Sequence, residues 1–197
     1  MYNNNNGMNE KGKELNKSII LLGNNKVGKT TILNQFVKHH YIKKYIPTIG
    51  VDFFNNKFKI QLIKQYLLVS MWDTNGEEIN TSILPSKHYT QANAFIIMCS
   101  YDNKKSFEMV IEWINFIRKQ REKANNQLLS RTLPTTIVLI NKSDIQKKEL
   151  YKEDAMKFIH SFFPTVFISE ISIVNSNIIQ KLFSKIIKVI LLKENRN

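Results

Sequence analysis

The sequence has a single cysteine, Cys99, among its 197 residues. One cysteine excludes an internal disulfide and a cysteine-rich zinc site, and it is typical of a protein from a reducing compartment. The surrounding run AFIIMCS (94–100) predicts that Cys99 is a small buried hydrophobic residue and not a nucleophile.

Long hydrophobic runs are also absent. No run approaches the length of a membrane span, and no N-terminal stretch resembles a signal peptide. Tyr2 excludes myristoylation, and the ending KENRN offers no cysteine for prenylation. We therefore expect a cytoplasmic protein that contacts an intracellular membrane only peripherally, if it does so at all.

Acidic residues are scarce. The chain has 16 Asp and Glu against 29 Lys and Arg, and its formal net charge is +13. Such a charge raises the question of nucleic acid or an acidic membrane as a partner. The lysines are spread along the whole chain, however, and form no compact cluster interleaved with aromatics. We therefore attribute the positive charge to a general bias toward Lys, Asn and Ile in the composition. We expect no nucleic-acid-binding surface.

The chain begins with a polar, Asn-rich stretch and then alternates between strand-like and helix-like segments. Residues 1–16 are predicted to be a disordered tail, 17–192 a single domain, and 193–197 a short C-terminal tail. Alternating strands and helices predict an α/β domain with a mainly parallel sheet, in which ligands bind at the carboxyl ends of strands. The apolar runs typical of strands are 18–23, 51–60, 65–72, 94–100, 135–141 and 165–169.

A glycine loop follows the first of these runs. GNNKVGKT (23–30) matches G-x-x-x-x-G-K-[ST] without a mismatch. Its glycines let backbone N–H groups face phosphate oxygens, and the following helix N-terminus adds a favourable dipole. Lys29 is expected to reach the β- and γ-phosphates, and the Thr30 hydroxyl to bind Mg²⁺. The other residues predicted to line the nucleotide here are Asn25, Lys26, Val27, Gly28 and Thr31.

The tetrapeptide NKSD (141–144) closes a later apolar run. A carboxylate can accept two parallel hydrogen bonds from guanine, whereas adenine offers no matching donor pair, so Asp144 predicts guanine selectivity. Asn141 is expected to tie the base-binding loop to the phosphate loop, and the stem of Lys142 to cover the base.

The acidic stretch WDTNGEE (72–78) is ambiguous by itself. Its carboxylates are compatible with a paired-carboxylate catalytic site, with a set of metal ligands, or with a solvated turn after a strand. Asp, Glu, Asn and Gly are common turn residues, so composition alone favours the solvated turn.

Together these motifs resemble those of the Ras superfamily of small GTPases, and most of all its Rab branch. The resemblance covers about residues 17–192 and includes PTIGVDF (47–53), HYTQA (88–92) and SYDNKKSF (100–107). It implies a P-loop NTPase fold of three layers, with a mixed, mostly parallel six-stranded sheet flanked by helices. It further implies GTP and GDP with Mg²⁺ as ligands, hydrolysis of GTP to GDP, and a switch that controls partners in vesicle traffic.

The resemblance also implies roles for single residues. Thr48 is the switch threonine that closes on Mg²⁺ in the GTP state, Asp73 lies near Mg²⁺, and the Gly76 N–H contacts the γ-phosphate. Tyr41 stacks near guanine. The guanine loop of the family falls on Ser172, Ile173 and Val174, where a backbone N–H would reach the guanine oxygen.

The implied catalytic residues are Lys29, Thr48 and Glu77. The resemblance implies that exchange factors, GTPase-activating proteins and effectors bind residues 41–53 and 73–90. A carboxylate at Glu77 replaces the water-orienting Gln of the family. Because it adds like charge near the γ-phosphate and cannot donate an amide hydrogen bond, we predict weak intrinsic hydrolysis.

Other positions also depart from the family pattern. Asn75 replaces an Ala, and Asn25 and Lys26 stand where relatives often have small residues. Asn25 is expected to crowd a partner's arginine finger. For Lys26 the alternatives are that it supplies local positive charge or that its side chain points to solvent. Val174 replaces a Lys, which is expected to weaken affinity, and the connection through 123–134 predicts a surface insertion.

Two alternatives to a working switch follow from these observations. Glu77 favours a hydrolysis-impaired pseudo-GTPase that presents one surface constantly as a binding module. A basic phosphate-loop protein that binds nucleic acid is the other, and NKSD together with PTIGVDF argues against it.

Overall fold

The computed structural model describes residues 14–40, 46–60, 65–81, 83–124 and 134–194. The predictions for Tyr41, for residues 1–13, for most of the insertion at 123–134 and for residues 195–197 lie outside these ranges. The strands are β1 (Glu14–Leu22), β2 (Val51–Ile60), β3 (Gln65–Thr74), β4 (Ala94–Ser100), β5 (Thr135–Asn141) and β6 (Phe167–Glu170). The helices are α1 (Lys29–Lys38), α2 (Glu78–Thr81), α3 (Ser86–Gln91), α4 (Lys104–Glu108), α5 (Val110–Ala124), α6 (Lys152–Phe162) and α7 (Ser176–Glu194).

The six strands form one sheet in the order β2-β3-β1-β4-β5-β6. Strand β2 runs antiparallel to β3, and every other neighbouring pair is parallel. The mixed, mostly parallel six-stranded sheet predicted from the sequence is thereby confirmed. Since β1, β3, β4 and β5 point the same way, the loops that follow them lie along one edge of the sheet.

Helices cover both faces of the sheet, which makes three layers. Successive side chains of a strand point to opposite faces, and Ile19 and Ile20 on β1 accordingly belong to two separate cores. The core around Ile19 includes the stacked rings of Phe36 on α1 and Phe183 on α7, with centroids 3.9 Å apart. The core around Ile20 includes Trp113 on α5. This covering explains the continuous apolar runs, since every residue of β4 and β5 is buried.

Element boundaries differ from the sequence prediction at three strands, β1, β3 and β6. Strand β3 continues to Thr74, two residues beyond the predicted run. Strand β1 begins at Glu14 and pairs with β3 from Glu14 opposite Tyr66, so residues 14–16 lie in the sheet and not in the predicted tail. Hydrogen bonding between the backbones of β1 and β3 determines where β1 begins. The hydropathy of the side chains at 14–16 therefore does not reveal it. Strand β6 begins at Phe167, because its register with β5 runs from Phe167 to Glu170. None of the helices in the described ranges has the length and hydropathy of a membrane-spanning helix.

Candidate nucleotide-binding site

The phosphate loop connects β1 to α1 at the carboxyl edge of the sheet. Gly23 and Gly28 have φ values of 126° and 103°, in the left-handed region that favours glycine. A Cβ at Gly23 would lie 2.1 Å from the Met98 carbonyl oxygen, and one at Gly28 would lie 2.5 Å from Asn141 Nδ2. Both positions therefore require glycine. Lys26 also has a positive φ of 65° although it is not glycine.

Lys29 is held inside this loop. Its Nζ donates hydrogen bonds to the carbonyl oxygens of Gly23, at 2.6 Å, and Asn24, at 3.0 Å. Burial lowers the pKa of Lys29 to about 8, although the nearby charges of Glu78 and Asp73 act to raise it. The loop thus holds a buried ammonium group against its own backbone.

The three residues predicted to bind the metal meet next to Lys29. Thr30 Oγ1 lies 2.8 Å from Thr48 Oγ1 and donates to Asp73 Oδ2 at 2.6 Å, while Thr48 Oγ1 donates to the same carboxylate oxygen at 3.3 Å. Asp73 is fully buried, and its Oδ1 lacks a hydrogen-bond partner. Burial raises its pKa to about 6, against the opposing effects of the hydroxyls and of Lys29.

The chemistry of this cluster fits a magnesium ion. Hydroxyl and carboxylate oxygens are the ligands that this small, hard cation prefers. The unpartnered Asp73 Oδ1 is a buried carboxylate oxygen, and such an atom is costly to leave without a compensating charge or donor.

The remaining predicted residues of the phosphate loop differ in exposure. Asn25 and Lys26 are exposed, whereas Val27 is buried in the core that includes Ile19. Gly28 is half-buried, and so is Thr31 in the first turn of α1. The structure therefore places two polar side chains on the outside of the loop and anchors it through Val27.

The segment after β3 lies directly on the phosphate loop. Gly76 has a φ of 96°, and a Cβ there would lie 2.5 Å from Asn25 Oδ1 and 2.8 Å from Asn25 N. The Gly76 N–H donates to the Glu78 carboxylate, at 3.2 Å to Oε2. Glu77 is exposed, and its Oε1 accepts a hydrogen bond from Asn25 Nδ2 at 3.3 Å.

On the base side, Asn141 is hydrogen-bonded to the phosphate loop. It is fully buried at the end of β5, and its Nδ2 donates to the Val27 carbonyl oxygen at 2.8 Å. Lys142 has a φ of 62°, and its Nζ forms a 2.6 Å ion pair with Asp102. The carboxyl-bearing residue of the motif, Asp144, is exposed.

The loop at 172–174 lies beside this motif, because the Ser143 N–H donates to the Ile171 carbonyl oxygen at 3.0 Å. Ile173 is buried, and its Cδ1 would lie 3.1 Å from a Cβ at Gly28. Val174 is exposed, and its N–H donates to Ser172 Oγ at 3.4 Å. Ile173 therefore packs against the phosphate loop.

Comparison with known proteins agrees with this geometry. The model of the Ras family matches residues 18–192. The chain belongs to the Ras family. Similar proteins include Ras-related protein Rab-28 of Caenorhabditis elegans, which is 30% identical over 140 residues, or 71% of this chain and 53% of the relative. The Ypt/Rab-type GTPase ypt7 of Schizosaccharomyces pombe is 33% identical over 142 residues, or 71% of this chain and 65% of the relative.

A longer match is Ras-related protein Rab-13 of Canis lupus familiaris, 28% identical over 179 residues, which is 89% of this chain and 80% of the relative. The predicted similarity to Rab proteins within the Ras family is confirmed by these relatives. The chain spans about half of Rab-28 and just under two thirds of ypt7.

In this Ras family member, one buried acid was not predicted as a site residue. Glu78 is fully buried at the start of α2, accepts from the Gly76 N–H, and lies near enough to Lys29 to affect its pKa. The sequence gives no sign of this burial, because Glu78 directly follows another acid, Glu77, in a polar stretch. Only the turn that brings Gly76 onto the phosphate loop places Glu78 inside.

A partly buried hydrogen bond behind the phosphate loop was also not predicted. Trp113 Nε1 on α5 donates to Asn24 Oδ1 at 3.0 Å, although the two residues are 89 positions apart. Asn24 is the same residue whose carbonyl oxygen accepts from Lys29. The tryptophan therefore supports the loop that holds the lysine.

An aromatic group lies beside these segments on the outside of the protein. Trp72 contacts Phe53 and His88, with ring centroids 4.6 Å and 4.8 Å apart. Phe53 is 50% exposed, and Ile49 is 95% exposed. Ile49 and Phe53 lie in the first range in which partner binding is predicted, 41–53, and His88 lies in the second, 73–90. Trp72 directly precedes the second range.

Proposed function

We propose that this chain is a GTP-controlled molecular switch of the Rab type, which binds GTP with Mg²⁺ and hydrolyses it slowly to GDP. The observation that carries the proposal is the convergence of Thr30, Thr48 and Asp73 beside Lys29. These residues come from three separate segments of the chain, and together they present a buried cation and a set of oxygen ligands. A structural core has no need of such a cluster.

Each part of the nucleotide has a group to bind it in this proposal. The phosphate-loop N–H groups and Lys29 bind the phosphates, as the loop geometry permits. Thr30, Thr48 and Asp73 hold Mg²⁺, which supplies positive charge against the phosphate oxygens. Asp144 accepts from guanine, and its exposure leaves the carboxylate accessible to a base.

Partners of the switch bind where the chain responds to the γ-phosphate. Thr48 and Gly76 are the proposed contacts of that phosphate, and the loops that carry them are ordered by it. Exchange factors, GTPase-activating proteins and effectors therefore bind residues 41–53 and 73–90. The exposed Phe53 and the aromatic contact with Trp72 give this surface an apolar anchor.

The domain and its location follow from the same proposal. Residues 17–192 form the GTPase domain, preceded by the strand residues 14–16 that complete β1. A switch that controls vesicle traffic acts at the cytoplasmic face of membranes, so we place the protein in the cytoplasm with peripheral membrane contact.

Slow hydrolysis is proposed because Glu77 cannot orient water as an amide does. An ionised carboxylate accepts hydrogen bonds but donates none. Glu77→Gln should therefore accelerate single-turnover GTP hydrolysis by roughly tenfold, the value of about one hydrogen bond in the transition state. The rate is measured as GDP formed per bound GTP for both proteins, with Glu153→Gln on α6 as the control. Equal rates for wild type and Glu77→Gln would contradict the proposal.

A second candidate is the hydrolysis-impaired binding module. The supporting observation is that the Gly76 N–H and the Glu77 carboxylate already have protein partners. The nucleotide extracted from purified protein separates the two candidates. Mostly GDP indicates turnover by a switch, whereas mostly GTP indicates a module that stays in one state.

A further inference from the structure

We propose that Asn25, Asn75 and Glu77 form a latch that holds residues 75–77 against the phosphate loop whichever guanine nucleotide is bound. The inference rests on the proposed function, because it concerns how the γ-phosphate controls this segment. All three residues are positions at which the chain departs from the pattern of the family it resembles. The structure joins these three departures into one connected unit.

Asn75 fixes the backbone of the latch. Its Oδ1 accepts a hydrogen bond from the Glu77 N–H at 2.9 Å, which closes an Asx turn over residues 75–77. The Glu77 carbonyl oxygen in turn accepts from the N–H groups of Asn80 and Thr81, at 2.9 Å and 3.0 Å. Glu77 is thereby held at the start of α2, and the direction from which its side chain leaves the backbone is set.

Asn25 supplies the other half of the latch from the phosphate loop. Its Nδ2 donates to Glu77 Oε1 at 3.3 Å, across 52 positions of sequence. The neighbouring Gly76 lies so close to Asn25 that a Cβ there would be 2.8 Å from the Asn25 nitrogen. The side-chain bond therefore crosses a place where the two backbones already touch.

The latch changes what the γ-phosphate has to do. In a switch without it, the closed position of this segment depends on contacts that exist only with GTP. Here the hydrogen bond between Asn25 and Glu77 holds the segment without any phosphate. Because the pair is exposed, its effect is modest, at most roughly tenfold in the closed-to-open equilibrium. Partners that read this segment will therefore distinguish GTP from GDP less sharply.

Exchanging the chemistry of the pair tests the latch. Asn25→Asp places two carboxylates opposite each other and should open the segment. Adding Glu77→Gln to that variant restores one donor and one acceptor with their roles reversed, so the segment should close again. Asn115→Asp, at an exposed position of α5, introduces the same charge change elsewhere and is the matched control.

Hydrogen–deuterium exchange of the full chain with bound Mg²⁺ and GDP measures the opening at the amides of residues 76–81. Wild type and Asn115→Asp should show protection within about threefold of that with a non-hydrolysable GTP analogue. Asn25→Asp should exchange roughly three- to tenfold faster with GDP, and the double variant should return to the wild-type rate. A double variant that stays as open as Asn25→Asp would overturn the latch.

The affinity for fluorescent GDP is measured for every protein in the same series. If wild type binds neither GDP nor GTP, the proposed function fails. If wild type binds both nucleotides but its segment opens fully with GDP, the latch fails and the proposed function stands.

Discussion

The two ends of the candidate site are built differently. At the phosphate end the charged groups Lys29 and Asp73 are buried, and burial shifts the pKa of each of them. At the base end Asp144 is exposed, and Lys142 forms an ion pair with Asp102 near the surface. Asn141 connects the two ends from a fully buried position.

This difference corresponds to two proposed tasks of the site, binding of phosphate and metal at one end and selection of the base at the other. Buried charges at the phosphate end reduce the stability of the empty protein, because each lacks the solvation that water would give. Their mutual attraction offsets part of this cost, and in the proposed function bound phosphate and metal offset more of it. The exposed carboxylate of Asp144 at the base end remains solvated, so it destabilises the empty protein little. It can therefore contribute selectivity for guanine without lowering stability much.

The largest expected effect is at the base end. Asp144→Asn replaces one carboxylate oxygen with an amide donor, which faces a donor group of guanine. Affinity for GTP should fall by roughly 100-fold or more, since a mismatched hydrogen-bonding pair that the bound base covers discriminates strongly. Affinity for xanthosine triphosphate, which presents an oxygen there, should rise. Competition with a fluorescent nucleotide measures both, and Asp154→Asn on α6 is the control. Unchanged GTP affinity would mean that Asp144 does not contact the base.

Local sequence patterns could predict much of the fold and of the candidate site. The fixed spacing of GNNKVGKT and NKSD places Lys29 and Thr30 at the start of α1 and Asn141 at the end of β5. Buried strands such as β4 are visible as continuous apolar runs. The start of β1 could not be predicted, because a polar residue such as Glu14 joins the sheet through backbone pairing alone. Burial of Glu78 depends on how a turn docks on a distant loop, which no local pattern encodes.

A moderate effect is expected at the phosphate end. Burial raises the pKa of Asp73 to about 6, so the folded protein without nucleotide and metal takes up a proton more readily than the unfolded chain. Its stability should therefore fall as pH rises from about 4 to about 6 and stay low above that. Asp73→Asn removes this loss and should stabilise the empty protein at pH 7 by about 2–3 kcal/mol.

Urea unfolding in the presence of a metal chelator measures the Asp73 effect at pH 5 and pH 7. Asp144→Asn serves as the control from the exposed end, where no comparable stabilisation is expected. The same Asp73→Asn variant should bind nucleotide less tightly when Mg²⁺ is present. A variant with the pH dependence of the wild type would show that the buried carboxylate does not limit the stability of the empty site.

The smallest effect concerns the support of the phosphate end by α5. Trp113→Phe removes the N–H that donates to Asn24 Oδ1 while keeping an aromatic ring in the core. Because Asn24 also accepts from Lys29, loosening it should speed GDP release by roughly three- to tenfold, the value of one hydrogen bond. Displacement of fluorescent GDP measures the rate, with Tyr151→Phe, an aromatic substitution at an exposed position before α6, as the control. Asn24→Ala should have a similar effect, and combining it with Trp113→Phe should add little, since both changes remove the same bond. Fully additive effects would show that the two residues act on nucleotide release separately.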